Sequence, residues 1–255
     1  MITKALRPLI LRFDSLTSTN TEAAQQAQQG APEGLCVIAR EQTEGRGRAG
    51  RVWISPPDAG LYFSLVLRPK LVARDWPLIN LMAALAVRDA LVETCNLETD
   101  IKWPNDILVG DRKLCGILAE TIDTETGRAV ILGIGINLDD RAFPPELKDV
   151  ATSVSSLTAS APDPERLILT LVPAIERRYE TLQANGGEAE TIREWSLRSS
   201  YAQGRHVRVT LTEETFDGWT RGLEPDGALR VETGQGEIRT VRAGDVNSLR
   251  VTGDR

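Results

Sequence analysis

The chain has 255 residues, of which 41% are apolar and 26% are charged, as in ordinary soluble proteins of one or two domains. The formal net charge of −6 argues against a protein that coats nucleic acid or anionic membranes. A single histidine, His206, excludes a zinc site built on several histidines, and the three cysteines lack metal-ligand or Cys-x-x-Cys spacing. We therefore expect any catalysis to depend on Arg, Lys, Asn, Asp and backbone amides. Without a signal peptide or a transmembrane stretch, and with so few cysteines, the sequence predicts a cytoplasmic protein.

Strand and helix patterns alternate over the first 200 residues and predict an α+β fold. The predicted strands cover residues 9–13, 35–40, 61–67, 100–103, 107–109, 113–120 and 129–137. The predicted helices cover residues 21–29, 75–95, 165–182 and 190–197. Ser18–Asn20 supplies side chains suited to capping the first helix, and Asp163 is suited to capping the third. Gly110 and Asp111 lie between two apolar runs and predict a hairpin.

The pattern changes at Arg205, where five short strands separated by turn signals begin. About 50 residues of this kind predict a small β-barrel. This tail holds eight arginines and nine acidic residues, so it carries no basic excess. We expect a catalytic domain at residues 1–202 and a barrel domain at residues 203–255.

The segment Gly45–Trp53, here called the Gly-Arg loop, interleaves three glycines with three arginines. Its first part satisfies G-x-G-x-x-G, but the Pro56–Pro57 pair cannot continue into the helix that a dinucleotide fingerprint requires. Closely spaced glycines let backbone N–H groups converge on an anion, and arginines add donors suited to phosphate or carboxylate. The alternative is a solvated, flexible loop with non-specific affinity for nucleic acid. The negative net charge and the position between two predicted strands disfavour that alternative.

A second cluster contains two of the five lysines, Lys102 and Lys113, beside the turn signal Pro104–Asp106. Polar side chains at a strand end can project into a cleft. Strict alternation predicts that Lys113 and Cys115 share one face of their strand. Each residue by itself is more typical of an ordinary turn or strand edge than of a site, so the case for a site depends on the combination. The two glycines of Gly133–Asn137 indicate either a close approach by a ligand or backbone, or a bulge.

Four motifs of the chain, taken in their order, closely resemble those of the biotin protein ligases. They are Gly45–Trp53, Lys102–Asp106, Lys113–Leu118 and Gly135–Asn137. The resemblance covers nearly the whole chain. It implies a mixed β-sheet flanked by helices, as in class II aminoacyl-tRNA synthetases and lipoate ligases, with a small C-terminal SH3-like β-barrel. It also implies a ligase that uses ATP and Mg²⁺ to activate biotin as biotinyl-5′-AMP. The biotin would then be transferred to a lysine of a biotin carboxyl carrier domain.

Carried over by motif, the resemblance implies roles for individual residues. Contacts with biotin or its adenylate are implied for Ser18, Thr19, Asn20, Gln42, Arg46, Gly47, Arg48 and Lys113. The nucleotide is expected beside Arg51, Trp53, Asn105 and Asp106. Further binding candidates are Gly45, Lys102, Gly116 and Asn137. Lys113, Arg48 and Asp106 are the catalytic candidates, and no protein-bound metal site is predicted.

Two positions depart from the family pattern. Ala49 stands where a further charge is sometimes found, and the longer tail motif leaves the roles of Asp245 and Arg250 open. Some family members carry an N-terminal DNA-binding domain, but the first predicted strand near Leu9 leaves no room for one, so we expect no DNA binding. A ligase for lipoate or another acid, or an Arg-Gly-loop protein that binds nucleic acid, are the alternatives. Both a monomer and a homodimer fit the sequence.

Overall fold

The computed structural model describes residues 8–141, 143–158 and 162–249. Its larger part contains a seven-stranded mixed sheet with the order β1-β2-β3-β7-β6-β5-β4, in which only the β1–β2 pair is parallel. The strands are β1 (Leu9–Leu16), β2 (Leu35–Gln42), β3 (Gly60–Leu67), β4 (Asp100–Lys102), β5 (Asp106–Val109), β6 (Arg112–Thr124) and β7 (Gly127–Asn137). The helices are α1 (Thr19–Gln28), α2 (Leu78–Cys95), α3 (Val154–Leu157), α4 (Pro164–Gln183) and α5 (Gly187–Arg198). The predicted α+β class, with a mixed sheet between helices, is confirmed.

Residues from Gln203 onward form a five-stranded antiparallel sheet with the order β11-β10-β9-β8-β12. Its strands are β8 (Gln203–Thr210), β9 (Thr215–Leu223), β10 (Leu229–Thr233), β11 (Ile238–Val241) and β12 (Asp245–Ser248). Val207 of β8 and Leu229 of β10 belong to the same buried apolar cluster as α2. The small sheet is therefore packed firmly against the larger part of the chain. Arg250 lies outside the described residues.

Helices cover both faces of the seven-stranded sheet. On one face α2, α4 and α5 pack over the main apolar core. On the other face α1 packs against β2, β3 and β7 through Ala23 and Ala27, which are fully buried. Because both contact residues are small and four positions apart, the helix axis lies close to the sheet. This close packing brings the first turn of α1 onto the middle of the sheet.

Two helix starts differ from the prediction. The predicted cap at Ser18–Asn20 is wrong in detail, because α1 already begins at Thr19 and the Ser18 side chain makes no capping hydrogen bond. The helix α2 begins at Leu78 rather than at Asp75. Asp75 belongs to a separate 3₁₀ turn, and Pro77 lies between this turn and the helix. The predicted cap of α4 is confirmed, since Asp163 accepts a hydrogen bond from the Glu165 N–H at 3.0 Å. None of the helices within the described ranges is both long and apolar enough to cross a lipid bilayer.

Helix α4 offers a matched pair of leucines for testing the packing of this core. Leu171 is fully buried, whereas Leu169 is 74% exposed on the same helix. We expect Leu171→Ala to lower the free energy of unfolding by about 2–5 kcal/mol, because it leaves a cavity. Leu169→Ala should change it by less than about 0.5 kcal/mol. Urea denaturation followed by circular dichroism measures both values, and equal losses would contradict this packing.

Candidate active site

A cavity of about 390 Å³ lies on the α1 face of the sheet. Its walls come from the start of α1, the Gly-Arg loop, the turn between β4 and β5, the middle of β6 and β7, and β12. It brings together most of the sequence-predicted residues: Ser18, Thr19, Asn20, Gln42, Arg46, Gly47, Arg48, Arg51, Trp53, Lys102, Asn105, Asp106, Lys113 and Gly116. Residues far apart in the chain therefore share one space.

Two predicted residues, Gly45 and Asn137, do not line this cavity. A side chain at Gly45 would overlap the Trp53 carbonyl, so this glycine allows the loop to fold onto itself. Asn137 is buried and donates from Nδ2 to the carbonyl oxygens of Lys113, at 3.3 Å, and Thr152, at 3.0 Å. Asn137 thus holds the backbone of Lys113 in place rather than facing the cavity.

One end of the cavity is polar and is formed by uncharged groups at the start of α1. Ser18, Thr19 and Asn20 are almost fully buried there. The Gln42 Oε1 accepts a hydrogen bond from the Thr19 N–H at 2.9 Å, and the Thr19 hydroxyl oxygen lies 3.1 Å from the same atom. The Gln42 Nε2 donates to the Ser55 hydroxyl at 2.8 Å. These bonds orient an amide and several hydroxyls without adding charge.

The floor beneath this polar end is made of Ser64 and Gly133, which face each other on β3 and β7. The Ser64 hydroxyl is fully buried, 2.6 Å from Asn20 Oδ1 and 2.8 Å from Thr19 Oγ1. A side chain at Gly133 would overlap the Asn20 carboxamide. Sequence reasoning missed Ser64, because a lone serine in a buried strand carries no motif.

The middle of the cavity is flat and apolar because Trp53 lies over two glycines. A Cβ atom at Gly135 would lie 2.5 Å from the Trp53 Nε1, and one at Gly116 would lie 3.0 Å from the indole ring. The Trp53 Nε1 is buried and has no hydrogen-bond partner among the described residues. The ladder between β6 and β7 runs without a register shift. Gly133 and Gly135 of β7 therefore accommodate the side chains of Asn20 and Trp53 rather than a bulge or another backbone.

The other end of the cavity is cationic. Lys113 Nζ pairs with Asp106 Oδ1 at 2.6 Å and lies 5.3 Å from the centre of the Trp53 ring. Lys102 Nζ donates to Asn247 Oδ1 at 2.9 Å, and Arg48 reaches Asn105 Oδ1 at 3.4 Å. Burial lowers the pKa of Lys102 and the pKa of Arg48, while the Asp106 carboxylate raises both.

The expectation that Lys113 and Cys115 share a face is wrong. Cys115 is fully buried in the core beneath α2, whereas the Lys113 side chain extends over Gly116 on the cavity face. The pairing of β5 with β6 shifts register between Ile107 and Leu108, opposite these residues. The irregularity breaks strict alternation and turns Lys113 toward the cavity.

The three arginines of the Gly-Arg loop each have a different partner. Arg46 pairs with Glu120 at 2.9 Å, and Arg51 forms an ion pair with Asp245 of the C-terminal sheet. The loop also closes on itself, since the Gly47 N–H donates to the Arg51 carbonyl at 2.7 Å. These contacts oppose the mutual repulsion of the arginines and hold the loop beside the cavity. The sequence left the role of Asp245 open, and Glu120 carried no recognisable signal.

The cavity therefore matches an elongated ligand with three chemically distinct parts. A neutral group rich in hydrogen-bonding atoms fits beside the start of α1. An apolar stretch fits over Trp53, and an anion fits beside the lysines and arginines. Among residues 8–141, 143–158 and 162–249, no group of three or more His, Cys, Asp or Glu side chains is arranged to hold a metal ion.

Comparisons with known proteins agree on one family. Residues 12–137 match the Biotin/lipoate A/B protein ligase family, and residues 203–247 match the Biotin protein ligase C terminal domain. The Bifunctional ligase/repressor BirA of Bacillus subtilis is 37% identical over 249 residues, which cover 96% of this chain and 75% of that protein. The Biotin--[acetyl-CoA-carboxylase] ligase of Paracoccus denitrificans is 37% identical over 219 residues, which cover 83% of this chain and 89% of that protein. The structure of the Aquifex aeolicus biotin protein ligase in complex with biotin and ATP is similar with a TM-score of 0.81, at 29% identity, over 94% of this chain and 98% of that one.

The lowered pKa of Lys102 can be measured by competitive acetylation across a pH series, with mass spectrometry of the labelled peptides. We expect a pKa below the ordinary value of 10.5, because burial disfavours the ammonium form. Asp106→Asn should lower it further, since the Asp106 carboxylate favours the charged amine. Asp217→Asn, on the remote β9, serves as the control and should leave it unchanged. A pKa of Lys102 at or above that of Nα-acetyl-lysine amide would contradict this description.

Proposed function

The chain belongs to the biotin protein ligase family, and from this we propose that it joins biotin to a carrier protein through an adenylate intermediate. It binds ATP and biotin, makes biotinyl-5′-AMP and transfers biotin to a lysine of a biotin carboxyl carrier domain. The observation that carries the proposal is a single cavity with a neutral polar end, an apolar middle and a cationic end. Biotin has the same three parts in the same order.

The ureido ring of biotin occupies the polar end. It carries two N–H donors and one carbonyl acceptor, and Thr19, Asn20 and Gln42 offer hydroxyl and amide groups of both kinds. The apolar chain crosses the Trp53 region, and the carboxylate reaches Lys113. This orientation avoids burying the carboxylate among uncharged groups, which would be costly.

Activation of biotin needs no general base, because its carboxylate is already ionised at neutral pH. A carboxylate oxygen attacks the α-phosphorus of ATP, the bond to the bridging oxygen breaks, and pyrophosphate leaves. The barrier comes mainly from bringing a carboxylate against a polyphosphate. Lys113 and Arg48 lower it by pairing with the reacting oxygens, while Lys102 and Arg51 neutralise the phosphates. Lys113 is suited to the central position because its ammonium is compact and bridges two oxygens.

The acceptor lysine attacks the carbonyl carbon of the adenylate, AMP leaves, and the amine loses a proton. Asp106 orients this amine and takes part in removing the proton. In the free protein Asp106 pairs with Lys113, so the arrival of the phosphate at Lys113 releases the carboxylate. The Gly-Arg loop covers the mixed anhydride and excludes the water that would hydrolyse it.

Magnesium enters with ATP. Mg²⁺ keeps several waters and is usually held by substrate phosphates together with one or two carboxylates. Asp106 and Asp245 border the cavity and are carboxylates of that kind, so the residues present fit an ion carried by the nucleotide. The ion would draw charge from the phosphates.

A reducing, cytoplasmic setting fits the free thiols of Cys36, Cys95 and Cys115.

Mass spectrometry of a carrier domain tests the proposed function directly. The protein is incubated with Mg-ATP, the carrier domain, and either biotin or lipoate. We expect the carrier to gain the mass of one biotinyl group and to gain nothing with lipoate. A carrier modified by lipoate alone would contradict the proposal and favour a ligase for another acid.

Lys113→Ala tests the assignment of charge neutralisation. We expect biotin-dependent exchange of pyrophosphate into ATP to fall by about 10²–10³-fold, as for loss of an oxyanion-stabilising donor. The exposed Lys70 lies outside the cavity, and Lys70→Ala should retain full exchange. Thermal unfolding monitors the fold of both variants. Exchange by a folded Lys113→Ala protein at the wild-type rate would remove this residue from the mechanism.

A further inference from the structure

Glu120 lies next to the cavity and has no part in the reaction steps above. It belongs to β6, where alternation puts it on the same face as Gly116 and Leu118. One of its oxygens, Oε2, accepts two hydrogen bonds, from Arg46 Nη2 at 2.9 Å and from Asn20 Nδ2 at 2.7 Å. A single carboxylate oxygen therefore joins the Gly-Arg loop to the polar end of the cavity.

The bond to Asn20 determines which way that carboxamide faces. Nδ2 is held by Glu120 and by the Leu118 carbonyl at 3.3 Å, so Oδ1 points toward Ser64. The groups beside Nδ2 are acceptors, and the Ser64 hydroxyl beside Oδ1 is a donor, so the flipped orientation of the amide is excluded. Because the single proton of the Ser64 hydroxyl goes to Asn20, the Thr19 hydroxyl, 2.8 Å away, donates to the Ser64 oxygen.

From Thr19 the network returns to the loop. Gln42 accepts from the Thr19 N–H at 2.9 Å and donates to Ser55, which lies just after the Gly-Arg loop. A continuous series of contacts therefore connects Arg46, inside the loop, with the residues of the polar end and then with Ser55, just after the loop. The ion pair of Arg46 with Glu120 is only partly exposed, with 46% and 32% of the side chains accessible, so solvent screens it incompletely.

We propose that Glu120 is a positioning residue that couples occupation of the polar end by biotin to seating of the Gly-Arg loop. The proposal rests on the proposed function, since it takes biotin as the ligand of that end. When the ureido ring fixes Asn20, it also fixes the Glu120 carboxylate and, through it, Arg46. Biotin by itself should then hold the loop in place before ATP binds.

Trypsin reports on this coupling because the loop contains three cleavage sites, at Arg46, Arg48 and Arg51. We expect biotin alone to slow cleavage of the wild-type loop about tenfold, since a ligand that binds the closed form lowers the open population. In Glu120→Ala the same saturation with biotin should slow cleavage by less than about twofold. Glu120→Gln keeps an acceptor but loses the charge, so it should give intermediate protection.

Kinetics separate positioning from catalysis and from general damage. In Glu120→Ala we expect the KM for biotin in pyrophosphate exchange to rise about tenfold, the effect of losing a hydrogen bond to a charged group. The kcat at saturating biotin should stay within about twofold, because the groups that contact the reacting atoms are unchanged. Asp123→Ala is the matched control, since Asp123 lies on the same strand and pairs with Arg128 at 3.1 Å on the exposed surface. It should change neither the KM for biotin nor the loop cleavage.

Equal biotin protection of the wild-type and Glu120→Ala loops would overturn the coupling, and so would a loss of kcat without a rise in KM. Absence of biotin protection in the wild type would overturn it as well. Failure of the proposed function has a different signature, namely no biotin-dependent pyrophosphate exchange by the wild-type protein. The two ideas can therefore fail separately.

Discussion

The site depends on holding five cations around one small cavity. Each of these side chains faces an oxygen: Arg46–Glu120, Arg48–Asn105, Arg51–Asp245, Lys102–Asn247 and Lys113–Asp106. Like charges a few ångströms apart repel by about 4 kcal/mol at an effective dielectric constant near 20, so such a cluster needs compensation. Three of the partners are carboxylates and two are neutral amides, which leaves an excess of two positive charges for anionic substrates. A chain with a net charge of −6 thus presents a local cationic site.

The positive charges can be compensated only because the sheet allows elements that are far apart in the chain to approach one another. Gly116, Gly133 and Gly135 lie on the same face of β6 and β7, where larger side chains would overlap Trp53 or Asn20. Because glycines leave these positions open, the Gly-Arg loop and the first turn of α1 both pack onto this face of the sheet. The same packing produces the neutral polar end and the flat apolar middle, so the ligand's three parts meet three different surfaces. The floor of the site is therefore as selective for the ligand as its charged walls are.

Local patterns predicted much of this architecture. Alternating apolar runs predicted the strands, and the cap of α4 followed from Asp163 and Pro164. The motifs of the Gly-Arg loop and of Lys102–Asp106 predicted many of the residues that line the cavity. Errors arose where a long-range contact outweighed a local preference. Asn20 suits a cap by residue type, yet it bonds Glu120, a hundred positions away in the chain. Lys113 leaves the face that alternation predicts, because a register shift between neighbouring strands turns it.

Residue chemistry and spacing predicted an anion-binding site, with arginines on a glycine-rich backbone and lysines beside a turn. They could not show which oxygen faces each cation, because Arg46 and Glu120, or Arg51 and Asp245, are far apart along the chain and carry no shared motif. Asn137 likewise looked like a ligand-binding residue, whereas in the fold it holds the backbone that carries Lys113. Spacing constrains only near neighbours in sequence. Charge compensation is a property of neighbours in space, which exist only once the sheet has formed.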